Sequence, residues 1–196
     1  MTDCDILLAS RSPRRRQLLL QLGVRFQCLH LEVDERPHPG ETVAELVPRL
    51  ALAKARAGAG QSAFAHPVLG ADTEVVVDGE VLGKPADFSA AVAMLRRLSG
   101  REHLVYSAVA LTHREHAVLT SITRVAFRVL SAEEIETYCR RGESLDKAGG
   151  YGIQGSAAAF ISRIEGSYSG VVGLPLFETA TLLSRFNIPL GRSITS

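Results

Sequence analysis

Cysteine is scarce in this 196-residue chain: Cys4, Cys28 and Cys139 are odd in number, scattered and contain no CxxC pair. That excludes a disulfide framework or a cysteine-built zinc site and fits a reducing compartment, with the thiols buried or inert. Charge of one sign is equally lacking. Lys and Arg number 22 against 21 Asp and Glu, a formal charge of +1, so no global field holds nucleic acid or an anionic membrane, and an anionic partner must be bound locally. Long apolar runs are missing too. The N-terminus carries only the short run Ile6 to Ala9 before arginines begin, which is neither a signal peptide nor a membrane span. The expectation is a cytoplasmic protein with no membrane and no nucleic-acid partner. There is no G-x-x-x-x-G-K-[ST], G-x-G-x-x-G or G-x-S-x-G, which removes support for a P-loop NTPase, a Rossmann dehydrogenase and a serine hydrolase.

What the chain does have is core-forming material, with 46% hydrophobic residues. At this length folding buries roughly 70% of the unfolded surface, so one domain over residues 1–196 is expected without a covalent staple. Ile6 to Ala9 reads as a buried strand. Ser12-Pro13 supplies an N-cap and a proline at the first helical position, opening a leucine-rich helix that stops at Gly23. A strand over Phe26 to Leu31 gives way to a polar stretch, and Thr42 with Glu45 forms a capping box for a helix to about Gly58, which Pro48 is expected to kink or split. Pro67 to Ala71 reads as an apolar strand and Glu74 to Leu82 as a hairpin turning at Asp78-Gly79. Ser89 to Leu98 is helical. Glu102 to Leu111 and Val118 to Leu130 are β-rich, and Ser131 with Glu134 opens another helix, closed by Gly142. After a glycine-rich segment, Gly142 to Gly155, Ala158 to Ile164 reads as a strand and Pro175 to Phe186 as a terminal helix. The fold class is α/β around a mixed sheet.

Several positions bear chemistry. Arg14 and Arg15 fall in the first turn of a helix, where the backbone already presents partial positive charge and free N–H groups. A phosphate bound there would use both, and a solvated arginine turn is the alternative. Lys54 lies four residues after Leu50 on an apolar stripe and needs either a partner or a snorkelling route to solvent. Asp72 directly follows an apolar strand, at a position where α/β proteins bind ligands. If Val77 and Glu80 pair across the turn, Thr73 faces Lys84 and brings that lysine towards Asp72, as an ion pair or as part of a site. A second carboxylate from Asp34 or Glu35 would suit Mg²⁺ bridging to phosphates. The histidines have no ligating spacing.

Taken together, LASRSPRR at 8–15, Asp34-Glu35, RLALAKA at 49–55, LGADT at 69–73, LGKP at 82–85, LSG at 98–100, DKAGGYGIQG at 146–155 and VVGLP at 171–175 resemble the Maf family, in order along nearly the whole chain. The resemblance implies an elongated mixed sheet with flanking helices like that of inosine triphosphate pyrophosphatases, the nucleotide in a cleft between two lobes, and homodimers. It implies Asp72 as general base and metal ligand, Glu35 as the second metal ligand for Mg²⁺ or Mn²⁺, and Ser10, Arg14, Arg15, Lys54 and Lys84 as the triphosphate cradle. Arg14, Thr73 and Gln154 correspond to positions that tune base choice. DKAGGYGIQG is similar to the branch that hydrolyses dTTP, UTP and some modified pyrimidine triphosphates to the monophosphate and pyrophosphate. The alternatives are 7-methyl-GTP or another non-standard nucleotide as substrate, or a nucleotide-binding regulator of septum formation.

Overall fold

A computed structural model describes residues 4–61 and 66–191. Ile6–Ala9 (β1), Phe26–Leu29 (β2), Val68–Val77 (β3), Glu80–Leu82 (β4), Glu102–Thr112 (β5), His116–Phe127 (β6) and Ile161–Glu165 (β7) form one seven-stranded sheet. Its order is β2-β1-β3-β5-β6-β7, with β4 paired to β3 off that path. β1 runs parallel to both β2 and β3, whereas the β3/β4 and β6/β7 pairs are antiparallel. The sheet is therefore mixed. The helices are Pro13–Gln21 (α1), Val43–Gln61 (α2), Phe88–Leu98 (α3), Ala132–Arg140 (α4), Tyr168–Val172 (α5) and Leu176–Arg185 (α6). By compactness the chain divides into one unit of Met1–Asp72, Ser107–Ser121 and Gly173–Ser196 and a second of Thr73–Tyr106 and Ile122–Val172.

In the first unit β1 is buried along its whole length, as expected of a strand with parallel neighbours on both sides. Fully buried Leu8 and Leu19 each contribute about 2 kcal/mol of transfer free energy. Ser12 caps α1 by accepting from Arg15 N–H at 3.4 Å, and Pro13 occupies its first turn. At the start of α2 only the carboxylate arm of the expected capping box forms: Glu45 accepts from both the backbone N–H (2.9 Å) and the hydroxyl (2.7 Å) of Thr42. Pro48 does not split α2. It sits in the second turn, where the one intrahelical bond it forfeits is near an end that already lacks partners.

α2 lies against β3 at unusually short range. A Cβ on Gly70 would meet Ala51 O at 2.3 Å and Ala55 N at 2.6 Å, and one on Gly58 would meet Val68 Cγ1 at 2.7 Å. The small residues in RLALAKA and the glycine of LGADT are thus the two halves of one close contact.

In the second unit Asp78 and Gly79 both have positive φ, 55° and 78°, the type I′ turn that Asp-Gly favours. The expected strand and hairpin are one continuous β3 turning into β4. Val77 pairs with Glu80 as the turn chemistry requires, but the ladder ends at Val75–Leu82. Thr73 and Lys84 are not ladder partners. α3 is capped by Asp87 and buries Ala91, Val92, Leu95 and Leu98, one helical stripe. α4 opens with the full reciprocal box between Ser131 and Glu134. Residues 158–160, expected to begin a strand, lie instead in a 3-10 helix over Ser156–Phe160, and β7 starts only at Ile161. Its run of alanines matches either period, and the burial of Ala157 and Phe160, three residues apart, selects the helical one. The short α5 has no counterpart in the sequence reading.

Candidate functional site

The register of β1 and β3 places two motifs side by side. Ala9 pairs with Gly70 in parallel, so the loop from Ser10 into α1 leaves the sheet beside Asp72. Only β1 ends there: β3 runs on to Val77, so Asp72 lies inside a strand and not after one as the sequence suggests, beside the carboxyl end of its parallel neighbour, where such folds place ligands. Within that loop Ser10 Oγ accepts the Ser12 N–H at 3.1 Å, and α1 then starts with no acidic residue in its first turn. Arg14 and Arg15, both half-buried, follow immediately. Arg15 Nε donates to the carbonyl of Gly173 at 2.8 Å. That carbonyl orients the guanidinium without neutralising it. Gly173 has φ of 132°, a conformation that favours glycine, which gives the VVGLP motif a physical role the sequence did not disclose.

Asp72 is buried, 5% exposed, on the same face of β3 as Gly70. Because Gly70 lets α2 approach so closely, Lys54 reaches this carboxylate: Nζ lies 2.6 Å from Asp72 Oδ1 and 2.6 Å from Glu35 Oε1. Lys54 therefore neither snorkels nor stands alone, and the lysine paired with Asp72 is Lys54 rather than the expected Lys84. Lys84 is exposed and lies outside the strands. Of the two acidic loop residues, Glu35 supplies the converging carboxylate. Asp34 turns to Arg36 at 2.6 Å, and that guanidinium holds its carboxyl far below the usual range.

Two carboxylates thus converge on one cation, here an ammonium group. Asp72 Oδ2 is buried and accepts no hydrogen bond. An anionic oxygen withdrawn from water without a partner is a poor structural feature and a good metal donor. Glu35 and Asp72 fit a divalent cation on both counts. Among the described residues no three His, Cys, Asp or Glu side chains cluster to hold a metal, so most of the coordination shell would come from water and phosphate oxygens, as suits Mg²⁺.

In the second unit Thr73 is half-buried and Gln154 exposed. Gln154 has no hydrogen-bond partner among the described residues. The glycine-rich stretch around it is anchored to its own surroundings. Tyr138 Oη accepts the Gly152 N–H at 3.0 Å, and burial pushes this phenol up to about 12. Tyr151 Oη lies 2.8 Å from His103 Nε2. Burial pushes the His103 imidazole down to about 4 and raises the Tyr151 hydroxyl, so both are neutral at physiological pH. Glu143 takes the backbone N–H and hydroxyl of Ser156 at 3.2 and 3.1 Å. Neither Tyr138 nor Glu143 stood out in the sequence, because each acts on a partner 13 or 14 residues away through a contact no short motif encodes.

Residues 5–186 match the profile of the family described as Maf-like protein. The chain belongs to the Maf family. Similar Maf relatives include the dTTP/UTP pyrophosphatase of Aromatoleum aromaticum, 52% identical over 94% of this chain and 97% of that protein. The dTTP/UTP pyrophosphatase of Bordetella avium is 54% identical, over 97% of this chain and 100% of its own length. Among solved structures, the Staphylococcus aureus Ham1 protein is 14% identical with a TM-score of 0.46, over 93% of this chain and 97% of that one. No helix among the described residues is long and apolar enough to cross a membrane.

Proposed function

We propose that this Maf protein hydrolyses dTTP and UTP to the monophosphate and pyrophosphate. The reading is supported by the names of relatives more than half identical to it, and the observation that carries it is the buried, unpartnered Asp72 Oδ2 beside a convergence of Glu35 and Asp72 on one cation. In this reading Glu35 and Asp72 hold Mg²⁺ or Mn²⁺. The ion, when bound, neutralises phosphate charge and polarises the oxygens around the α-phosphorus.

Asp72 takes a proton from the attacking water. The water oxygen bonds to the α-phosphorus, the bond to the bridging oxygen breaks, and pyrophosphate departs with the electron pair. Arg14, Arg15, Lys54 and Lys84 meet the charge that develops there, with the Ser10 loop and the start of α1 donating N–H groups. Thr73, Arg14 and Gln154 set the base preference. A Gln154 amide donating to O4 and accepting from N3–H suits uracil and thymine, whereas cytosine reverses both groups. Because a loose amide could flip and accept cytosine, its orientation has to be fixed. The chain works as one catalytic domain, as a homodimer, in the cytoplasm, in keeping with its few scattered thiols.

The test is a nucleotide panel of dTTP, UTP, CTP and 7-methyl-GTP with pyrophosphate detection, run on wild type and Asp72→Asn. Wild type is expected to favour dTTP and UTP, and the folded variant to bind nucleotide with nearly all turnover lost. Preference for 7-methyl-GTP would move the chain to another branch, and near-normal turnover in Asp72→Asn would remove that residue from the mechanism.

A further inference from the structure

Recognition by one exposed amide needs a rigid mount, and the second unit contains one. We infer that Glu143 and Tyr138 are positioning residues for base discrimination, fixing the turn that carries Gln154. The inference rests on the reading that Gln154 recognises the base.

The turn spans residues 152–155 and is closed by Gly155 N–H donating to the Gly152 carbonyl at 3.0 Å. Its first residue is tied to α4 by the bond from Gly152 N–H to Tyr138 Oη, which is buried. Its second residue, Ile153, is 7% exposed and anchors the turn inward. Beyond its last residue, Glu143 grips Ser156 through both carboxylate oxygens. The same carboxylate lies flat against Gly155, where a Cβ would meet Glu143 Oε2 at 2.2 Å. Lys147 then fixes the stem of this clamp, its Nζ donating to the Glu143 carbonyl at 2.6 Å and its Cε lying 2.7 Å from a Cβ position on Gly152. Gln154 stands exposed between these fixed points. Every backbone neighbour of the reading residue is held, and the reading amide is left for a ligand. Such an arrangement fixes the place and direction from which the Gln154 side chain leaves the backbone, and so the distance and angle at which its amide meets the edge of a base.

The experiment compares kcat/KM for dTTP over CTP in wild type, Gln154→Ala, Glu143→Ala, Glu143→Gln and the Glu143→Ala/Gln154→Ala double variant, with thermal melts alongside. Glu143→Ala is expected to lower the ratio about ten-fold. Glu143→Gln, which keeps an acceptor oxygen for Ser156, is expected to recover most of it. In the double variant the ratio should equal that of Gln154→Ala alone, because a mount without its reader has nothing to orient. If Gln154→Ala leaves the ratio unchanged, base reading lies elsewhere and the inference falls with it. A Gln154→Ala effect with an unchanged ratio in Glu143→Ala, or an equal decline for both nucleotides, overturns the positioning role alone. Should Glu143→Ala fail to fold, Tyr138→Phe removes a single acceptor oxygen and carries the same comparison, with an unchanged ratio again decisive against the positioning role.

Discussion

Lys54 and Asp72 are 18 residues apart in the chain, and their charged groups meet at 2.6 Å with the two side chains only 14% and 7% exposed. A pair so withdrawn from water depends on both members. Glu35, the third member of the cluster, is 55% exposed and is screened by solvent.

Lys54→Met therefore strands a buried carboxylate and is expected to destabilise the metal-free protein by about 3 kcal/mol. Glu35→Gln should remove less than about 1 kcal/mol. Urea denaturation of each variant in the presence of a chelator measures both, and equal losses would contradict the difference in burial.

The neighbouring carboxylates Asp34 and Glu35 are expected to behave differently towards a cation. Asp34 is bound to Arg36, so Asp34→Asn should leave Mn²⁺ affinity within about two-fold, whereas Glu35→Gln should weaken it roughly ten-fold or more. Titration calorimetry or Mn²⁺ electron paramagnetic resonance distinguishes them. A larger effect from Asp34 would reassign the second ligand.

Arg15 is held by the Gly173 carbonyl at the start of α1. Arg15→Ala is expected to weaken dTTP binding roughly ten-fold, the size of a charge-assisted hydrogen bond, and thymidine monophosphate binding much less. Equal losses for the two ligands would place Arg15 outside the subsite for the outer phosphates.

His103 gives the fold a pH dependence. Burial lowers its imidazole from 6.5 to about 4, so below 6.5 the unfolded chain takes up a proton that the folded one refuses. The stability present in full above pH 6.5 is lost as pH falls towards 4, by about 3 kcal/mol across that window. A His103→Gln variant, still able to bond the Tyr151 hydroxyl, should show a flatter stability profile between those limits. Parallel profiles for the two proteins would mean that His103 does not carry this proton linkage.

Local chemistry made much of the fold legible. Ser12-Pro13, Asp78-Gly79 and Ser131 with Glu134 each encode their own geometry within four residues, and each forms as expected. The errors arose where neighbours decide: the alanines before β7 serve a 3-10 turn, and the β3–β4 ladder stops two residues short of Lys84. Lys54 was recognisable as a lysine in need of a partner, but its partner depends on how closely a helix and a strand can approach. The Glu143–Ser156 clamp and the Gly173–Arg15 contact were hidden for the same reason, since long-range hydrogen bonds leave no periodic trace.

Gly70 has no functional group, yet Lys54 has a fixed arm length and can reach Asp72 only while α2 stays at the distance that glycine permits. A methyl group there collides with helix backbone, which has no rotamer to yield. Tolerance to substitution along this chain should therefore not track chemical function: a survey of single replacements would find Gly70→Ala nearly as damaging to turnover as the loss of Lys54, and a scan limited to polar positions would overlook it.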